Sequence, residues 1–90
     1  MQYKTLALGL IQSQPTLHRH LRRTRRLMQA LDAHATDLRT DHLSRVDLLT
    51  RSRPELDPPS RTAVALEHAL LDLQARLSAE ATLLAHDPNP

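Results

Sequence analysis

The stretch Pro15–Ser52, PTLHRHLRRTRRLMQALDAHATDLRTDHLSRVDLLTRS, decides the fold. Apolar or small residues recur in it at Leu17, Leu21, Thr24, Met28, Leu31, Ala35 and Leu38. The steps alternate between four and three residues, which keeps these side chains on one side of a helix as a heptad seam. Beyond Leu38 the seam broadens. His42 takes the next slot, and Leu43, Val46, Leu48 and Leu49 spread apolar surface around the helix. Ser13 or Gln14 can cap the start, with Pro15 in the first turn, and Arg53-Pro54 ends the run. The pattern predicts one helix over 15–52, about 55 Å long if unbroken.

Working outward, a second periodic segment spans 60–86. Ala63, Leu66, Leu70, Leu73, Leu77 and Leu84 follow the same rhythm, with Glu80 filling one slot. Ser60 is the expected N-cap, or Pro59 the first helical residue. His86-Asp87-Pro88 stops the segment and leaves 87–90 as a loose tail. The connector Ser52–Pro59 is short and contains three prolines, which favours antiparallel neighbours. Folding about residue 56 sets Leu49 against Ala63, Val46 against Leu66, His42 against Leu70, Leu38 against Leu73 and Met28 against Leu84. Most opposed positions are apolar on both sides. His42 then reads as a partly buried polar residue that fixes register. Residues 3–12, YKTLALGLIQ, are ambiguous. Leu6, Leu8 and Leu10 alternate as a strand would, while Tyr3, Leu6 and Leu10 fit a helical face. A short helix is the expectation, covering the start of 15–52 through Leu6, Leu10 and Ile11. The fold class is all-α: a single small domain, 1–90, built as a long coiled-coil-like antiparallel hairpin with a short N-terminal segment.

Composition agrees. The chain has 90 residues, with 19 Leu and 11 Ala against one Ile, two Val, one Tyr and no Phe, Trp or Cys. Strands draw on β-branched and aromatic residues, so a sandwich or barrel is disfavoured. Without Cys there is no disulfide framework and no thiolate metal site. No apolar run approaches about 18 residues, which argues against a membrane span. The run Leu6–Ile11 is short for a signal peptide, and a cytoplasmic location is the default expectation.

The net charge of +2 conceals an asymmetry. Residues 1–31 carry six cations and no acid, whereas residues 32–90 carry six arginines and all ten acids. Five of those early cations are Arg19, Arg22, Arg23, Arg25 and Arg26. On a continuous helix Arg19, Arg22, Arg23 and Arg26 fan out opposite Leu17, Leu21 and Met28. They also form five like-charge pairs at i,i+3 and i,i+4, about 1–2.5 kcal/mol of local repulsion in total. Near the N-terminus of a long helix, the macrodipole would oppose them too. Asp32, Glu80 and Asp87 are the acids that such a hairpin brings within reach. A surface that breaks local rules in this way is where binding is worth suspecting.

Chemistry finds little support elsewhere. His34, Asp37 and Asp41 share a face, and His68 and Asp72 form an i,i+4 pair, but neither set supplies three strong ligands. There is no nucleophile elbow and, with one Gly, no phosphate-cradling loop. No catalytic residue, metal or cofactor is assigned, no small-molecule substrate is expected, and an enzyme is not the expectation. Leu27, Leu43, Leu48, Leu71 and Leu83 lie off the seam. Each is worth about 1.5–3 kcal/mol when fully buried, so a homo-oligomer is expected to cover them. The functional expectation is a small non-enzymatic interaction and assembly module, presenting its arginines to an acidic protein surface. The alternative partner is nucleic acid, bound non-specifically by the basic face around Arg19–Arg26.

Overall fold

The structure is a computed structural model describing residues 2–85. His86 and the expected loose tail 87–90 lie outside the described residues. The architecture is all-α. Helix α1 spans Tyr3–Gln12, α2 Pro15–Arg23, α3 Leu27–Ser52 and α4 Pro58–Ala85. Helices α3 and α4 form the antiparallel hairpin, α1 packs mainly on α3, and α2 reaches α4. Residues 3–12 are helical, with no strand character. The molecule is elongated, 53 × 22 × 16 Å.

The expected single helix over 15–52 is broken at Thr24–Arg26. Arg25 has φ 59°, the left-handed region. Around it the Arg26 N–H donates to the Leu21 carbonyl at 2.8 Å and the Arg25 N–H to the Arg22 carbonyl at 3.2 Å. These two bonds make a Schellman turn, whose left-handed position is usually glycine. The Thr24 hydroxyl donates back to the His20 carbonyl at 2.8 Å and helps close the last turn of α2. The physical reason for the break is in the charges and the packing. Three of the five like-charge pairs, 22–25, 22–26 and 23–26, span the turn and lose helical spacing. The kink also lets α2 bury Leu17 against the rest of the core instead of projecting beyond α4.

The hairpin register also differs from expectation. His42 does not face Leu70; its ring reaches the carbonyl of Thr62, eight residues earlier. Helix α4 begins at Pro58, not Ser60, with both prolines in the first turn. The Arg61 N–H bonds the Asp57 carbonyl at 3.0 Å, and Ser60 donates to the Asp57 carboxylate, so Asp57 caps the helix. That contact, ahead of the opposing cost of burial, holds the Asp57 carboxyl below its ordinary value. Pro at the first helical position wastes no donor, which is why two prolines are tolerated here.

The buried row of α4 is Ala65, Ala69, Leu73, Leu77 and Ala81, a strict i,i+4 series. Such a row turns by about 40° per step around the helix. It therefore winds around α4 along its length, and α4 packs against α3, α2 and α1. Ala63 is exposed, and Met28 is 62% exposed and does not meet Leu84 as expected. In α1 the row Tyr3, Ala7, Ile11 faces inward, with Ala7 and Ile11 fully buried. Ile11, Leu38, Leu73 and Leu77 are the largest fully buried side chains.

His42, 2% exposed, ties three helices together. The Thr62 carbonyl can only accept, so the His42 Nε2–H donates to it, at 3.1 Å. Nδ1 is then the acceptor, and it takes the Tyr3 hydroxyl proton at 2.9 Å. A polar side chain in the seam is thus satisfied at both nitrogens, at one required geometry of α1, α3 and α4.

Candidate anion-binding surface

The basic surface is built on α2. Pro15 starts the helix, and Leu17 anchors its inner side. At 100° per residue, Arg19, Arg22 and Arg23 then point away from the core, and all three are exposed. The Schellman turn sets Arg25 and Arg26 beyond the helix end, also exposed. The break reverses one electrostatic expectation. His20, Arg22 and Arg23 occupy the last turn of α2, the C-terminal end, where the macrodipole favours cations. Only the 19–22 and 19–23 pairs keep helical spacing, leaving about 0.4–1 kcal/mol of local repulsion.

Ion pairing distinguishes these arginines from four of the other six. Arg45 pairs with Asp41 at 2.9 Å, Arg51 with Asp47 at 2.8 Å, and Arg76 with Asp72 at 3.5 Å. Arg53 pairs with Glu55, and this contact draws the Glu55 carboxyl below its ordinary value. Arg61 donates to the Leu56 carbonyl at 2.7 Å. Asp32, the first acid in the sequence, is taken by Lys4 at 2.8 Å. Among the described residues, Arg19, Arg22, Arg23, Arg25 and Arg26 have no carboxylate partner, and the same holds for Arg39 on α3. Glu80 does not reach them, and Asp87 lies outside the described residues.

The five are not one array. Arg19, Arg22 and Arg23 line an open groove of about 560 Å³ with Gln12, Pro15 and His18. Arg26 lines a second one of about 450 Å³, with Leu21, Gln29, Ala30 and Ala33. Arg25 sits at the turn between the two helices. Sequence reasoning missed Gln12 and His18 as groove residues. They come together only because the chain reverses at Ser13–Gln14, where the Ser13 hydroxyl donates to the Leu10 carbonyl at 2.6 Å and the Gln14 N–H to the Ile11 carbonyl at 2.9 Å.

Of the off-seam leucines, Leu43, Leu48, Leu71 and Leu83 are exposed, the last at 73%. Leu27 is different: it is half-buried and packs on the core, so the chain already uses it. Its place at the first turn of α3, just past the break, turns it inward. Leu43 and Leu48 lie about 140° apart on α3, and Leu71 and Leu83 about 120° apart on α4, so they do not form one stripe.

Among the described residues, no group of three His, Asp or Glu is placed to hold a metal ion. No described helix is long and apolar enough to cross a membrane. Comparison with protein-family models, with curated proteins and with solved structures finds no match.

Proposed function

We propose that this chain is a small non-enzymatic interaction module that docks an acidic partner on the arginines of α2 and of the α2–α3 turn. The observation that carries the reading is the pairing pattern. Four arginines outside this surface hold carboxylates, and the first acid of the sequence, Asp32, is held by Lys4, while the five at 19–26 face solvent without one. Guanidinium forks match carboxylate and phosphate oxygens in pairs, so such a surface has unused capacity for an anionic surface. Charge complementarity sets partner choice and encounter rate.

The same reading includes self-association through the exposed Leu43, Leu48, Leu71 and Leu83. The test of the docking role is a panel of polyanions, namely poly-L-glutamate, duplex DNA and anionic lipid vesicles. It is titrated against the wild-type chain and a variant with Arg19, Arg22, Arg23, Arg25 and Arg26 all changed to Gln. At least one polyanion is expected to bind the wild type at 50 mM salt and to lose at least tenfold in affinity with the variant. Binding of none, or equal binding by both chains, contradicts the proposal.

A further inference from the structure

We infer that the groove lined by Gln12, Pro15, His18, Arg19, Arg22 and Arg23 takes the phosphodiester backbone of a nucleic-acid duplex, without reading its sequence. This inference rests on the acidic-partner reading and names the partner's chemistry.

Two observations lead to a phosphate backbone in preference to an acidic protein. The first is the lining. Apart from Pro15, every residue of the groove offers N–H donors: three guanidiniums, an imidazole and a carboxamide. A phosphodiester strand presents only acceptors on its outside, whereas a protein surface presents donors as well, which would meet donors here. The second is the absence of an apolar anchor. Protein interfaces draw their energy from a desolvated apolar or aromatic centre. The exposed large apolar side chains of the described chain are Met28, Leu43, Leu48, Leu71 and Leu83, none of them on α2. A duplex needs no such anchor, because its affinity comes from release of condensed counterions.

The same observations specify which nucleic acid. Single-strand binders stack bases on aromatic rings. Tyr3 is the one Phe, Tyr or Trp residue of the chain; it is half-buried, its hydroxyl is bonded to His42, and it does not line the groove. The groove holds no Tyr, Trp or Phe for successive bases to stack on, which favours the backbone of a duplex.

The magnitude follows from the three groove arginines. Three neutralised phosphates give a slope of about −2.7 in log affinity against log salt, or about 40-fold weaker binding at 200 mM than at 50 mM. The experiment is fluorescence anisotropy with the full chain and a labelled 20-bp DNA duplex of arbitrary sequence at both salt concentrations. Poly-L-glutamate and a single strand of the same length serve as competitors. Circular dichroism confirms that each variant is folded. R22A/R23A is expected to weaken binding at 50 mM at least tenfold and to flatten the slope to about −0.9. R39A, which removes an unpaired arginine outside the groove, is expected to leave affinity within twofold. A slope shallower than about −1 in the wild type, or equal losses in R39A and R22A/R23A, overturns the inference. So does tighter binding of the single strand. Binding of poly-L-glutamate without duplex overturns the inference but leaves the acidic-partner reading standing. Binding of neither overturns the inference, and the acidic-partner reading falls with it where anionic vesicles also fail to bind.

Discussion

Replacing Arg25 by glycine should make the protein more stable, against the usual direction of a substitution. Arg25 holds φ 59° at the turn between α2 and α3, and both hydrogen bonds of that turn run through backbone atoms. Glycine keeps those bonds and removes the Cβ clash, which costs about 1–2 kcal/mol for an ordinary L-residue. Against this, glycine loses about 0.5–1 kcal/mol through the extra freedom of the unfolded chain. The difference spans about 0–1.5 kcal/mol and centres near about 0.75 kcal/mol, or roughly 3–6 °C in Tm for a domain of this size. Urea denaturation of wild type, Arg25→Gly and Arg25→Ala separates the contributions. Arg25→Ala removes the charge but keeps Cβ, so it should stay within about 0.5 kcal/mol of wild type. Equal stability of the glycine and alanine variants would refute the strain argument, as would any destabilisation by glycine. The same variant tests why an arginine stands there. If R25G is more stable but binds its anionic partner more weakly, the cation is retained at the expense of fold stability.

Three further outcomes are expected. Tyr3→Phe leaves the buried Nδ1 of His42 without its donor, at a cost of about 1–3 kcal/mol; a thermal melt indistinguishable from wild type would show that the hydroxyl bond contributes nothing. The Asp57 carboxyl, held low by the Ser60 contact, should titrate below its ordinary value in a carbon-detected NMR titration. Because the folded value is depressed, its stabilising contribution is present above the unfolded carboxylate range and is lost as pH falls through the folded value; Asp57→Asn, which can still cap, should abolish that pH dependence. Leu71→Asp or Leu83→Asp should lower the mass seen in sedimentation equilibrium, and an unchanged oligomer would exclude those leucines from the contact.

The hairpin was legible because leucines at alternating three- and four-residue steps leave helices few ways to bury them. Leu31, Leu38, Leu73 and Leu77 occupy the core as that spacing requires. The break at 24–26 was not legible. A Schellman turn is normally announced by glycine, and here an arginine occupies the position. Alanine explains the other misreading. Ala65, Ala69 and Ala81 are buried while Ala63 is exposed, and alanine suits either environment, so only Leu73 and Leu77 of the i,i+4 row of α4 left a hydrophobic trace. His42 was visible as a polar residue in an apolar seam. Its partners were not, because Tyr3 is 39 positions away and the Thr62 carbonyl depends on a register that the misplaced start of α4 had shifted. The arginine cluster could be read as charge. The favourable place of Arg22 and Arg23 at a helix C-terminus, and the division of the cluster between two grooves, followed only from the break.

The central claim is that binding resides on α2 and its two flanking turns. A titration of uniformly ¹⁵N-labelled protein with unlabelled duplex DNA, followed by amide chemical shifts, tests it most directly. The account requires the largest shifts to cluster between Gln12 and Arg26, with α4 and the loop 53–57 nearly unmoved. Shifts centred on Leu71 and Leu83, or spread evenly over all four helices, would contradict it.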